Sequence, residues 1–160
     1  MRESLGASLE EAQWFSNAYM LFLSALILAG GALGDRFGLA RVFSLGIGVF
    51  MVASLACALA PDPASMIIAR AAKGAGAALM VPGSLSLISR AYPREERGRA
   101  IGLWAGASAL TTALGPIVGG LVLTYGGPEF WRWLFAINLP LGALALAILW
   151  RAVEYDPPDE

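Results

Sequence analysis

The chain has 160 residues, of which 58% are hydrophobic and only 14% are charged, whereas soluble domains carry about 25% charged residues. It has no histidine, a single cysteine and a net charge of −1. This composition argues against a soluble domain, an intrachain disulfide framework and a nucleic-acid-binding protein. Because histidine is the commonest metal ligand and general base, we also expect no metal, no cofactor and no catalytic residue, and we do not expect an enzyme.

The charged residues collect in short gaps between long apolar stretches. Each stretch is close to the roughly 20 residues that a helix needs to cross a hydrocarbon core. The apolar runs are continuous rather than alternating every second residue, which indicates helices and not the strands of a β-barrel. The sequence therefore predicts an all-α, polytopic transmembrane bundle with a tail at 151–160 and spans at about residues 14–33, 42–60, 64–88, 100–125 and 131–150.

The gap after the first span, from Gly31 to Phe43, contains Asp35, Arg36 and Arg41 among several glycines. Since glycine permits sharp bends and close approach of the backbone, we interpret this stretch as a tight turn at the membrane face. One interpretation is that the three charges are ordinary interfacial groups. The other is that Asp35 caps the N-terminus of a helix opposite it, so that loss of this contact opens the inner face.

The third span carries two cations, Arg70 and Lys73. A charge at the bilayer centre costs about 2.5–3.5 kcal/mol on insertion scales, and a spacing of three places both side chains on one helix face. We expect them to face the bundle interior or a water-filled cavity. The alternative is snorkelling to the outer interface, which suits Arg70 better than Lys73. No acidic residue lies at matching depth in the five spans, so the expected partner is a substrate or a group on a helix outside this sequence.

The fourth span is rich in small residues and contains a proline. Small residues at helical spacing permit close packing of helices in lipid, and Pro116 frees a carbonyl near Thr112 and bends the helix. We expect the hydroxyls of Thr111 and Thr112 to bond the freed groups. The alternatives to a role in movement are that the small residues serve only helix packing and that the kink is static. The small residues concerned are Gly102, Gly106, Ala109, Ala113, Gly115, Gly119 and Gly120.

Arginine and lysine in short loops predict the orientation of a membrane protein. Arginines cluster in the first gap, in the segment 89–99, which we interpret as a charged loop, and after the last span. We therefore predict a multi-pass protein of the cell (inner) membrane with its N-terminus outside and its C-terminus in the cytoplasm. One further helix before an external loop at 3–13 would explain the external N-terminus and the odd number of spans. Aromatic residues at the span ends indicate an interfacial belt, formed by Trp14, Tyr125, Trp131, Trp133 and Trp150.

Three motifs in chain order resemble those of the major facilitator superfamily. The gap after the first span looks like the family's signature loop, and the segment from Arg70 to Ala78 looks like its fourth-helix motif. The segment from Gly115 to Gly120 looks like the fifth-helix motif of drug/proton antiporters. Two further segments, Trp14–Tyr19 and Trp131–Pro140, look like the fourteen-helix drug antiporter branch.

The sequence departs from the family's pattern at four positions. Leu39 and Ala40 stand where basic residues are usual, which weakens the charge network expected of the loop. Lys73 stands where glutamine is usual and adds a buried cation. Thr111 stands where the fifth-helix motif usually begins with glycine.

The resemblance implies that the chain holds helices two to six of the N-terminal half of a major facilitator fold. It implies a truncated or fragmentary multidrug efflux transporter that exchanges drug for proton. The implied partners are the lipid bilayer, a drug-like small molecule, protons and the missing helices of the parent transporter. The implied roles are a gating loop (Gly31, Asp35, Arg36, Gly38 and Arg41), a cavity relay for protons or substrate (Arg70 and Lys73) and a kink in helix five (Gly115, Pro116, Gly119 and Gly120).

A function from another class is also compatible with the sequence. A short membrane interaction or accessory protein would pair through its Gly/Ala helix faces and would have no transport of its own. An intramembrane enzyme is disfavoured, because the sequence lacks histidine and has no paired carboxylates at depth to act as acid and base.

Overall fold

The computed structural model describes residues 1–127 and 129–153 and folds them into helices, with no strand in those residues. Five stretches are long and apolar enough to cross a membrane, the last being Trp131–Arg151. The predicted all-α, multi-span fold class is therefore confirmed. A break divides the last stretch, so the helices are α1 (Leu9–Phe37), α2 (Leu39–Leu59), α3 (Pro63–Ala91), α4 (Arg94–Gly126), α5 (Trp131–Ala136) and α6 (Asn138–Val153).

Side-chain caps define where α1 and α3 begin. The Ser8 hydroxyl accepts a hydrogen bond from the Glu11 N–H at 3.1 Å, and the Glu11 carboxylate accepts one from the Ser8 N–H at 2.8 Å. At α3, the Asp62 carboxylate accepts from the Ser65 N–H at 2.8 Å, and Pro63 occupies the first helical position. These contacts satisfy backbone donors that have no partner inside the helix.

The connection between α1 and α2 is one residue long. α1 continues through Asp35 and Arg36 to Phe37, and Gly38, with a φ of 95°, joins it directly to α2. Only glycine adopts such a backbone conformation without strain, so the turn depends on Gly38. The prediction of a turn is correct in place, but Asp35 and Arg36 lie in the last turn of a helix and not in a loop.

The connection between α3 and α4 is also shorter than predicted. α3 ends at Ala91 and α4 begins at Arg94, so the prediction of a charged loop over 89–99 is wrong. Charged residues are compatible with helices that run beyond the lipid, and Glu95 and Glu96 in the first turn of α4 complement its dipole. Pro93 does separate the two helices, as expected of a residue that cannot continue one.

α3 lies between α1 and α2 and packs against both through glycines. A β-carbon at Gly74 would collide with the backbone of Tyr19 on α1. On the other side, a β-carbon at Gly76 would lie 2.7 Å from the Phe50 nitrogen and 3.0 Å from the Gly46 carbonyl oxygen on α2. Such close backbone approach is how small residues hold membrane helices together.

α4 differs from these three helices in having no buried residue. In the described part of the chain it contacts only α3 and α5, its neighbours in sequence. A β-carbon added at any of five of its glycines would meet nothing within 4 Å: Gly102, Gly106, Gly115, Gly119 and Gly120.

The break between α5 and α6 falls at Ile137. Pro140 has no N–H to donate to the carbonyl of Ala136, which removes a helical hydrogen bond at this point. The Asn138 side-chain amide donates to the Phe135 carbonyl oxygen at 3.2 Å and supports the break. α6 then packs against α2. Of the predicted tail at 151–160, residues 154–160 lie outside the described residues.

Candidate functional site

Arg70 of α3 lies against α1. Its Nε donates a hydrogen bond to the Phe15 carbonyl oxygen at 2.6 Å, and its guanidinium carbon lies 4.8 Å from the centre of the Tyr19 ring. A guanidinium stacked on an aromatic face is attracted by the negative face of the ring. α1 therefore supplies both a backbone acceptor and a π-face to this cation.

Lys73 lies one turn further along the same face of α3 and is only 7% exposed. Its ammonium nitrogen lies 4.6 Å from the centre of the Phe50 ring on α2 and 4.9 Å from that of Phe135 on α5. Phe135 is also 5.9 Å from the guanidinium carbon of Arg70. The two cations therefore share one aromatic wall, and Lys73 does not reach the surface as a snorkelling side chain would.

Neither cation has a carboxylate partner within the described residues. The ion pair found there joins Arg132 and Glu129, whose atoms Nε and Oε2 are 2.8 Å apart. The hydroxyl of Ser54, which is 0% exposed, also has no hydrogen-bond partner in this part of the chain. Ser54 follows Phe50 by four residues and so lies on the same face of α2. The site therefore combines two cations with aromatic walls, and an unsatisfied hydroxyl lies one helical turn from Phe50.

One end of the site is closed by a cluster that we call the Trp131 cap. Trp131 is 1% exposed and donates from Nε1 to the Ser4 hydroxyl at 2.8 Å. Its ring meets Phe135 edge-on, with centroids 6.0 Å apart, and so connects the cap to the aromatic wall. The cap consists of Leu5, Phe15, Cys57, Ala60, Met66, Ala69 and Trp131. The placement of Trp131 in an interfacial belt is therefore wrong, because the ring packs in a core.

Arg132 fastens the cap to the end of α2. Its Nη1 donates to the carbonyl oxygens of Ala58 at 2.7 Å and Ala60 at 2.9 Å, which the helix itself leaves without partners. Its Nε donates to Glu129, and this hydrogen bond lowers the pKa of the Glu129 carboxyl below its ordinary value. This role is not evident from the sequence, because an arginine at a span end resembles an ordinary interfacial charge.

The residues of the expected gating loop lie far from the cations. Asp35 follows Tyr19 by sixteen positions on one continuous helix, about 24 Å at 1.5 Å per residue. Asp35, Arg36 and Arg41 are all exposed, and the Arg36 guanidinium carbon lies 5.4 Å from the centre of the adjacent Phe37 ring. Asp35 makes no hydrogen bond to another described residue, so its capping role stays a prediction. Gly31 lies nearer the bundle, where a β-carbon would come 3.7 Å from the Pro82 β-carbon.

The proline of α4 lies within one uninterrupted helix. Pro116 leaves the Thr112 carbonyl without its usual donor. The hydroxyls of Thr111 and Thr112 donate instead to the carbonyls of Ala107 and Ser108, each at 2.8 Å. The expectation that these hydroxyls bond the freed carbonyl is therefore wrong, since a threonine side chain reaches back along its own helix.

Comparison with known proteins determines the family. The sequence profile of the Major Facilitator Superfamily matches residues 1–160. The chain belongs to this superfamily. The resemblance stated from its three motifs is thereby confirmed, and the chain is a multi-pass membrane protein.

Several curated relatives in the superfamily are named for drug resistance. The chain is 42% identical to a methylenomycin A resistance protein of Streptomyces coelicolor, over 96% of this chain and 32% of that protein. It is 38% identical to a tetracenomycin C resistance and export protein of Streptomyces glaucescens, over 91% of this chain and 27% of the relative. It is 37% identical to a multidrug resistance protein of Mycobacterium tuberculosis, over 96% of this chain and 28% of the relative. The chain thus spans about a third of the length of the relatives it matches.

In this superfamily chain, the structure brings the two predicted cavity cations together and keeps them apart from the predicted gate and kink. Sequence reasoning missed their aromatic partners, Tyr19, Phe50 and Phe135. These residues lie in predominantly apolar spans, so hydrophobic periodicity does not identify the inward side. The one usable signal was that these aromatic residues lie in other spans than the cations, since side chains around a buried cation must come from the neighbouring helices.

Proposed function

We propose that the chain is part of a multidrug efflux transporter that exchanges a drug-like molecule for protons across the cell membrane. The observation that supports this most strongly is the pair formed by the half-buried Arg70 and the buried Lys73, which lies among helices of a superfamily whose matching relatives are named for resistance and export. Ionisable groups inside a membrane bundle commonly mark a substrate or proton pathway. We assign this role to the pair.

The remaining helices of a longer transporter are the proposed partners of α4. Its glycines from Gly98 to Gly120 face open space, although small residues in membrane helices normally serve close packing. Alternating access also requires two repeats that rock about a central site. We therefore infer that this chain alone does not transport and that Gly115, Pro116, Gly119 and Gly120 adjust α4 against helices outside it.

The exposed charges at the α1–α2 junction form the proposed inner gate, with Gly38 as its turn and Asp35, Arg36 and Arg41 as its charged groups. In the proposed orientation this junction is cytoplasmic, the Trp131 cap faces outward and the C-terminus is inside. Single cysteines at Asp62 and at Arg94 test the orientation, because a membrane-impermeant thiol reagent should label only Asp62→Cys from outside. Labelling of both positions from one side would refute it.

The transport proposal is tested with a chimera. This chain replaces the matching segment of the Streptomyces coelicolor methylenomycin A resistance protein, to which it is 42% identical. The chimera should confer methylenomycin A resistance that a protonophore abolishes, whereas the 160-residue chain alone should confer none. An inserted but inactive chimera, or proton-driven export by the chain alone, would contradict the proposal.

The accessory-protein alternative is not favoured, because the relatives that match most of this chain are named for resistance and export. This alternative makes the opposite prediction, namely that the chimera does not confer resistance.

A further inference from the structure

We propose that Arg70 and Lys73 together bind the carboxylate of an anionic substrate, so that this transporter prefers organic anions to organic cations. The inference rests on the proposed function and names the substrate class for it. It comes from the charge and geometry of the site.

The orientation of Arg70 suits a planar acceptor. Its Nε is already engaged by the Phe15 carbonyl oxygen at 2.6 Å, which fixes the plane of the guanidinium between α1 and α3. Its two η nitrogens donate to no described residue. A guanidinium held in this way presents parallel N–H donors, the geometry in which arginine binds a carboxylate with two hydrogen bonds.

Lys73 adds a second positive charge to the same place. Its ammonium lies between the rings of Phe50 and Phe135, and Phe135 also faces Arg70. Aromatic faces attract a cation but cannot neutralise it, and no carboxylate in the described residues approaches either group. A ligand carboxylate would be attracted by both cations and would neutralise one of the two positive charges, whereas a cationic ligand would be repelled by both.

The surroundings of the pair suit the rest of an organic acid. Tyr19, Phe50 and Phe135 provide apolar faces next to the two charges. Ser54, one turn from Phe50 on α2, is 0% exposed, and its hydroxyl has no hydrogen-bond partner in the described residues. Small-molecule sites combine such apolar walls with a few polar groups that fix the orientation of the ligand.

A series of probes that differ only in charge tests the proposal on the unaltered 160-residue chain. The chain is reconstituted in lipid nanodiscs, and binding of 2-naphthoate, 2-naphthamide and 2-naphthylmethylammonium is measured by calorimetry. Naphthoate should bind at least about tenfold more tightly than the amide, and the ammonium should bind more weakly than either. Equal affinity for naphthoate and naphthamide, or no binding of naphthoate, would overturn the proposal.

A substitution then assigns the preference to the pair. Lys73→Gln should weaken naphthoate binding by about tenfold while leaving naphthamide binding unchanged. The matched control is Arg90→Gln, a cation that lies exposed near the end of the same helix and should have no effect. Naphthoate binding that survives Lys73→Gln would contradict the role of Lys73. If the variant does not fold, the probe series on the unaltered chain still decides the question.

The binding experiment tests the substrate class and the chimera tests the transport function, so either proposal can be refuted without the other. An active chimera together with equal binding of the three probes would refute the anionic substrate class and leave the proposed transport function standing. Selective binding of naphthoate by a chain whose chimera is inactive would support the anion site and refute the transport proposal.

Discussion

Helices α3 and α4 are both rich in glycine, but their glycines have different surroundings. In α3, Gly74 and Gly76 lie against the backbones of α1 and α2, where an added β-carbon would collide. In α4, no glycine between Gly98 and Gly120 has a neighbour that a β-carbon would meet within 4 Å. A stripe of small residues therefore indicates that a helix can pack closely, but it does not identify the helix that it packs against. The glycines Gly74 and Gly76 of α3 meet their packing partners within this chain, whereas the glycines of α4 from Gly98 to Gly120 do not.

The strongest test of this comparison substitutes one glycine in each helix. Gly76→Ala should destabilise the chain by about 1–3 kcal/mol, because the added methyl group overpacks the contact with Phe50. Gly106→Ala should not destabilise it, since nothing lies near that position and alanine favours the helix by up to about 1 kcal/mol. Unfolding of both variants in mixed micelles, followed by helical circular dichroism, measures the two effects.

A larger side chain at Gly106 tests whether α4 packs against helices outside this chain. In the chimera, Gly106→Leu should reduce resistance if α4 packs against helices outside this chain. In the 160-residue chain the same substitution should be neutral. A neutral result in both settings would mean that the face of α4 needs no partner.

A comparable effect is expected at the Trp131 cap. Arg132→Ala removes the donor shared by the Ala58 and Ala60 carbonyl oxygens and should cost about 1–3 kcal/mol of stability. The matched control is Arg97→Ala at the beginning of α4, where the side chain bonds one carbonyl in an exposed setting and should contribute less than about 1 kcal/mol. Equal losses in the two variants would contradict the importance of the cap.

The smallest effect is the pH dependence of the cap. The hydrogen bond from Arg132 lowers the pKa of Glu129 in the folded chain. The carboxylate therefore adds stability above its unfolded pKa, and this contribution is lost as the pH falls through the lowered folded pKa. Because Glu129 is exposed, the loss should be slight. Glu129→Gln should remove this part of the pH dependence at acidic pH, and a variant with an unaltered pH profile would exclude the contribution.

The number of spans and the glycine turn after the first span could be predicted from the sequence, because each depends on local physics. Apolar length identifies a span, and glycine permits a sharp bend of the backbone. The position of Trp131 could not be predicted in this way. A tryptophan at a span end suits either an interface or a core, and only the contacts made by the N-terminal segment decide between them.

The site was predictable in part for the same reason. The positions of Arg70 and Lys73 follow from the cost of charge in lipid, which requires an interior location. Their partners do not follow, because Phe50 and Phe135 lie in uniformly apolar stretches and on different helices. The length of the α3–α4 connection was also missed, since charged residues are found both in loops and in helices that extend beyond the membrane.

The most direct test of the account is the transport activity of Arg70→Ala in the chimera. The variant should reach the membrane in the same amount as the unaltered chimera and lose its protonophore-sensitive resistance to methylenomycin A, while Arg90→Ala on the same helix retains it. Unchanged resistance in the Arg70→Ala chimera would contradict the claim that Arg70 and Lys73 are essential for the function.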